Sequence, residues 1–222
     1  MLHRIKENDY DYYRYIYLGE PVGLGTNVYN MSLFQPITEL FDDDYVQNIY
    51  FSIDSGHQVS ATTCSCYALT ARKRVILLDT YYYSPAGKVN KKAPTELSKD
   101  IHEFIERLEG DYEKYAYKYT IDSAEGALRN QYYLDYNVTL HGVNKQKKVD
   151  MIDHVQNLLA QGRFYYLDIP NNKIFIEEHK KYQWDEDTLN SDDPKVIKED
   201  DHAVDNFQYF CLDNLIDLGL KW

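Results

Sequence analysis

The sequence predicts an α/β domain with a mixed central sheet, and two patterns predict it. Between Ile49 and Tyr83 three alternating apolar runs follow one another across short turns, as in an antiparallel meander. From Leu97 onward, strand-like and helical periodicities alternate, which sets helices against a sheet.

Taken in order, the first 47 residues read as an irregular, tyrosine-rich approach segment packed on the domain, and residues 48–222 as the domain itself. Residues 1–20 offer a short helix or strand packed outside, before Gly19, Pro21, Gly23 and Gly25 demand turns. Ile49, Phe51 and Ile53 alternate into Asp54-Ser55-Gly56, a strand ending in a glycine turn. A second strand is predicted over 60–69, a turn at Ala71-Arg72-Lys73, and a third strand over 75–83. Residues 84–94, with Pro85 and Gly87, read as a loop. Leu97, Ile101, Phe104, Ile105 and Leu108 recur at helical spacing, so a helix runs to Leu108. A strand over 115–121 ends at Asp122-Ser123. A helix over 124–133, a short strand over 137–140 and a helix over 145–159 follow. Gly162 ends that helix, 164–167 is strand-like, and Asn171-Asn172 turns the chain into a short helix over 175–182. Residues 185–201 are polar and acidic, a surface loop. Asp201 is placed to cap a last helix over 202–218.

Composition narrows the function classes. The formal charge is -12, from 36 acidic and 24 basic residues, which argues against wrapping nucleic acid in a general positive field. It leaves room for a metal-dependent nuclease, whose clustered carboxylates are acidic by necessity. The 23 tyrosines read mainly as core rings with a polar tip. Cys64, Cys66 and Cys211 form no CxxC pair and read as core thiols in a reducing, intracellular setting. No apolar run approaches the ~20 residues of a membrane span, and nothing resembles a signal peptide.

Three acids stand out by placement. Asp54 and Asp122 each end a strand, and Asp205 lies one turn inside the last helix. Ligands in α/β sheets gather at the carboxyl ends of strands. Converging carboxylates repel one another, and a cation or a proton relieves that cost. Magnesium and manganese prefer oxygen ligands, and two such ions about 3.5–4 Å apart clamp an in-line phosphoryl transfer. In that reading Asp54, on a rigid strand end, bridges the ions. His202 assists proton transfer, holds the phosphate or ligates manganese, and Asp201 is a cap or a further metal ligand. Acids at strand ends and helix starts are also common caps and solvent-facing turns, and the pattern leaves both readings open. Asp42, Asp43 and Asp44 read as solvated surface.

The order of motifs resembles the C-terminal nuclease domain of the large terminase subunit of tailed bacteriophages, which has a ribonuclease-H-like fold. The resemblance spans nearly the whole chain. It rests on Tyr15-Ile16-Tyr17-Leu18-Gly19-Glu20-Pro21-Val22-Gly23, Ser52-Ile53-Asp54-Ser55-Gly56, and Ile121-Asp122-Ser123-Ala124-Glu125. It continues with Glu178 through Tyr182 and Trp184, and closes with Asp201-His202-Ala203-Val204-Asp205-Asn206. It implies a mixed central sheet with helices on both faces. It implies that Asp54, Asp122 and Asp205 ligate two Mg2+ or Mn2+ ions with His202 close by, in a domain that cuts concatemeric double-stranded viral DNA in the host bacterial cytoplasm. The implied partners are an ATPase domain of the same full-length protein, the small terminase subunit and the portal, with the isolated domain monomeric. No GxxxxGK[ST] loop occurs, so ATP hydrolysis is not expected of this chain. Phe207-Gln208-Tyr209 stands where many members carry an arginine before the tyrosine, which removes either a phosphate contact or a domain contact.

Three basic clusters are candidates for DNA phosphate contact: Lys88, Lys91 and Lys92 in a loop, Lys145, Lys147 and Lys148 at a helix start, and Arg72, Lys73 and Arg74 in a turn. Lysines at a helix start oppose the dipole, which favours a functional reason for that group. No base-reading element is evident, so cutting should be weakly sequence-specific. The same acids would also suit a junction resolvase or other structure-specific nuclease of this fold, or a non-catalytic docking domain that holds a cation.

Overall fold

The computed structural model describes residues 26–56, 60–191 and 193–220. The expectations for residues 1–20, for the glycine and proline turns that follow, and for the Tyr15-to-Gly23 motif lie outside the described residues.

Seven strands form one sheet: β1 (Gln35–Ile37), β2 (Val46–Ser55), β3 (Thr62–Thr70), β4 (Val75–Tyr83), β5 (Ala116–Asp122), β6 (His141–Val143) and β7 (Phe164–Leu167). Their order is β1-β7-β4-β3-β2-β5-β6. β2, β3 and β4 pair antiparallel, while β5, β6, β7 and β1 add to the edges in parallel. The sheet is therefore mixed, as the periodicity predicts.

Among the described residues six α-helices cover its faces: α1 (Pro94–Asp111), α2 (Gly126–Tyr136), α3 (Lys148–Ala160), α4 (Lys173–Lys181), α5 (His202–Asp213) and α6 (Leu215–Leu218). Strand alternation decides which side chains meet which layer. Ile49, Phe51 and Ile53 of β2, with Cys64 and Cys66 of β3, join Ile101, Phe104 and Ile105 of α1 and Leu128 of α2 in one core. Tyr50 and Tyr67 point to the other side, among Val155 of α3, Phe175 of α4 and Phe207 and Phe210 of α5. The three cysteines are buried and free. Each large apolar side chain so buried contributes ~1.5–3 kcal/mol.

The differences from expectation have local causes. Gln35–Ile37, inside the segment read as irregular, is an edge strand that pairs with β7. Helix α2 runs on to Tyr136, whose ring stacks on His102 at 3.5 Å. Asn137, in the left-handed region at φ 54°, ends it. The short strand consequently falls at His141–Val143 and not at 137–140. The last helix is not continuous to 218. Asn214 Nδ2 donates to the Phe210 carbonyl at 2.8 Å, and the chain breaks there before resuming as α6.

One expectation for charged residues fails. Asp44 is buried, accepting from the Thr70 hydroxyl at 2.6 Å and the Arg72 amide at 2.9 Å. Arg74 pairs with Asp44, and Arg72 with Asp43, which like Asp42 is exposed as expected. The turn after β3 stands at the end of the sheet opposite Asp54, which separates Arg72, Lys73 and Arg74 from the acids.

Candidate metal centre

The register assembles the site. β2 and β5 are parallel, and Ile53 pairs with Ile121. Asp54 and Asp122 therefore come next on neighbouring strands, which run about 4.8 Å apart. On the other side Asp54 pairs with Thr63 and Thr63 with Tyr82. A polar row, Asp122, Asp54, Thr63 and Tyr82, thus crosses four strands at one end of the sheet, on the face that α5 covers.

Helix α5 is fixed over this row by Asn206. Its Nδ2 donates to the Ser52 carbonyl at 2.5 Å, its Oδ1 accepts from the Tyr67 hydroxyl at 2.9 Å, and its carbonyl accepts from Ser52 Oγ at 2.8 Å. The first turn of α5 carries His202 and Asp205, and it brings His202 to Asp54. His202 Nδ1 donates to Asp54 Oδ2 at 2.8 Å, and Nε2 accepts from the Ala61 amide at 3.3 Å. Those partners select the Nδ1-protonated tautomer. Gly56 permits the Ala61 contact, since a Cβ there would lie 2.5 Å from the Ala61 carbonyl oxygen.

The electrostatics of these groups follow from burial and neighbouring charge. Burial raises the Asp54 pKa, the charge of Asp205 adds to the rise, and His202 and Lys145 oppose it. Burial would depress His202, but the Asp54 hydrogen bond and the charges of Asp54, Glu178 and Asp201 prevail and raise it. The Tyr209 hydroxyl is raised by burial and then by Asp205, Asp54, Asp122 and Asp201. One hydroxyl thus feels all four predicted carboxylates.

Lysines take up much of this negative charge. Lys145 Nζ lies 2.5 Å from Asp122 Oδ2, and its ammonium sits 5.2 Å from the centre of the Tyr209 ring. Lys148 Nζ lies 2.6 Å from Asp205 Oδ1 and donates to Gln208 Oε1 at 3.1 Å. Helix α3 begins at Lys148 rather than at 145, so Lys145 is free of the helix and reaches the acid. Lys147 is exposed at the N-cap position. Gln208 is buried and donates to the Tyr29 hydroxyl at 2.9 Å, so the position that departs from the resemblance faces the core.

Asp201 occupies the N-cap position of α5, yet its side chain makes no capping bond, contrary to the capping role expected of it. Burial, and then the charge of Asp205, raise its pKa, while Lys148, His202 and Lys198 lower it. The capping bond comes from Glu178 on α4, whose Oε2 accepts from the Ala203 amide at 2.6 Å. Burial pushes Glu178 up to about 7, against the pull of the Tyr82 and Ala203 hydrogen bonds. Glu178, Asn206 and Tyr209 were all legible as part of motifs, but no local spacing discloses partners this distant in sequence.

Lys88, Lys91 and Lys92 lie in the loop after β4, at the same end of the sheet as the acids. Lys88 stands 4.0 Å above the Tyr83 ring, and Lys92 pairs with Asp100 while its amide donates to the Tyr83 hydroxyl at 2.9 Å. Among the described residues, no group of three or more His, Cys, Asp and Glu side chains is gathered closely enough to hold a metal ion.

Residues 54–213 match the family described as Terminase RNAseH like domain. The chain belongs to that family. The fold of this terminase domain is also that of solved large terminases. The large terminase of one thermophilic bacteriophage superposes with a TM-score of 0.73 at 22% identity, covering 97% of this chain and 51% of that one. The chain thus spans about half the length of that protein. The g2p nuclease domain of bacteriophage SPP1, solved with bound Mn, gives a TM-score of 0.56 at 16% identity, covering 81% of this chain and 95% of that one. The large terminase nuclease of a second thermophilic phage, G20c, with bound magnesium, gives 0.56 at 12% identity, covering 85% and 97%. No curated protein sequence matches the chain. Among the described residues no helix is long and apolar enough to cross a membrane.

Proposed function

We propose that the chain is the nuclease domain of a large terminase subunit, a divalent-metal-dependent endonuclease that cuts concatemeric double-stranded DNA during genome packaging. What supports this reading is that Asp54 and Asp122 end adjacent parallel strands and that His202, in the same first turn of α5 as Asp205, bonds Asp54. The donor set fits a hard divalent cation: it is rich in carboxylate oxygen, and the mutual repulsion felt at Asp54 is of the kind a cation relieves. Asp54, Asp122 and Asp205 would hold the ions, with Asp201 and His202 beside them. When bound, a pair of such ions supplies an activated water and charge stabilisation at the attacking and leaving oxygens.

The remaining steps belong to the chain's own residues. His202 orients Asp54 through its Nδ1 proton, while its Nε2 lone pair is held by the Ala61 amide. Lys145 and Lys148 pair with Asp122 and Asp205. Once those oxygens are otherwise engaged, the ammonium groups are placed to take phosphate oxygens of a DNA strand. Lys88, Lys91, Lys92 and Lys147 supply further positive charge at the same end of the fold, with backbone contacts and little sequence preference. The ATPase domain, small terminase subunit and portal of a complete motor, working in the host cytoplasm, would then choose where cutting happens.

The test is nicking of supercoiled plasmid in Mn2+, comparing wild type with Asp54→Asn at matched thermal stability. Loss of nicking in the variant supports the reading, and full activity in it overturns the mechanism. Equal assays on linear duplex and four-way junctions separate a resolvase, which would prefer the junction strongly. Acids closed by lysines also suit a non-catalytic docking domain. A melting temperature raised by Mg2+ with every DNA substrate left intact would favour that second reading.

A further inference from the structure

Glu178 is a carboxylate in a place that is costly for one. The residue is 2% exposed, and such burial is tolerated only where the oxygens find donors. Both do. Oε1 accepts from the Tyr82 hydroxyl at 2.7 Å, and Oε2 accepts from the Ala203 amide at 2.6 Å. Ala203 is the second residue of α5, and an amide there has no partner inside its own helix. Asp201, next to that turn, leaves it unserved. The bond arrives instead from another helix, 25 positions earlier in the chain.

The two partners of Glu178 are not equivalent pieces of scaffold. Tyr82 is the register neighbour of Thr63, which is the neighbour of Asp54, so one oxygen of Glu178 is referred to the strand row of the site. The other oxygen holds the turn that carries His202 and Asp205. A negative group at this helix start also suits the dipole of α5. We infer that Glu178 is a positioning residue: it sets the first turn of α5 against the sheet, and so the His202–Asp54 bond and the place of Asp205, in the capping role that the Asp201 side chain does not fill. This rests on the nuclease reading above for its consequence, though not for its geometry.

Two conservative variants of the full chain separate reach from charge. Glu178→Gln keeps the length and an acceptor oxygen for Ala203, and its amide can donate to Tyr82, but it removes the charge. Glu178→Asp keeps the charge and draws the carboxylate back by one methylene. The readouts are hydrogen exchange at the Ala203 amide and the His202 Nδ1 proton resonance in metal-free protein, and the Mn2+ dissociation constant. Glu178→Asp should speed Ala203 exchange about tenfold, shift or broaden the His202 signal, and weaken Mn2+ by about tenfold. Glu178→Gln should stay within about threefold of wild type on each. The opposite ranking, or wild-type values for both variants, overturns the inference. If wild type binds no Mn2+ at all, the nuclease reading fails, and the two metal-free readouts still decide the role of Glu178.

Discussion

Asp54 Oδ2 accepts a 2.8 Å hydrogen bond from His202 Nδ1, joining residues 148 positions apart. The far side of the same imidazole accepts from the Ala61 amide, so the ring is held at both nitrogens and its tautomer is set. A strand end, a helix start and the chain leading into β3 are thereby locked around one carboxylate.

Removing that ring should be felt in catalysis more than in stability. His202→Ala is expected to slow Mn2+-dependent nicking by about 10²-fold or more. His202→Asn, whose amide nitrogen falls near the Nδ1 position, should recover part of it. Nicking rates paired with melting curves check both, and an unchanged rate in His202→Ala excludes a role in the reaction.

Lys148 should compete with metal. Its ammonium lies 2.6 Å from Asp205 Oδ1, with the lysine side chain 22% exposed and the aspartate side chain 17% exposed. Discounted for solvent screening, such a pair is worth ~1 kcal/mol. Lys148→Met should therefore lower the melting temperature in EDTA and tighten Mn2+ binding about fivefold. Isothermal titration of Mn2+ into both proteins gives the comparison, and weaker binding by the variant contradicts the displacement account.

Asn206 joins α5 to the sheet from a fully buried position, through Ser52 and Tyr67. Asn206→Ala removes the acceptor of the buried Tyr67 hydroxyl and the bond that the side-chain amide gives the Ser52 carbonyl. The expected loss is about 2–4 kcal/mol of unfolding free energy, read from urea denaturation. A loss below about 0.5 kcal/mol would mean that packing alone seats the helix.

His179 ties stability to pH. Burial lowers its pKa from 6.5 to about 3, with Nδ1 donating to the Phe175 carbonyl at 2.7 Å. The unfolded imidazole takes a proton near 6.5 and the folded one does not until about 3, so the unfolded state binds more protons between them. The stabilising contribution is whole above the unfolded value and is lost as pH falls, at up to ~1.4 kcal/mol per unit. His179→Leu should flatten the fall in urea midpoint between about pH 6.5 and 4.5. An identical slope in the two proteins would show that His179 is not the linked group.

The sequence discloses what is local. Alternation in β2, β3 and β4 and the helical spacing of Leu97 to Leu108 locate the central strands and α1. The ends of β2 and β5 locate Asp54 and Asp122. Periodicity does not see partners. Asn214 carries the apolar pattern across a helix break, because Leu215 and Leu218 keep the spacing while its side chain takes the Phe210 carbonyl. Asp201 has the residue type of a cap, and only the approach of α4 gives that role to Glu178. The turn of Lys145 and Lys148 toward the acids depends likewise on how β6 delivers α3 beside α5.

The central claim is that Asp54, Asp122 and Asp205 together form a cation site. Its most direct test is a crystal structure of the protein soaked in Mn2+, read at the manganese anomalous edge. Anomalous density bounded by the carboxylates of these three residues, with Lys148 Nζ withdrawn from Asp205, is the predicted result. Density elsewhere, or both lysine pairs intact at saturating Mn2+ with no metal between the acids, would contradict it.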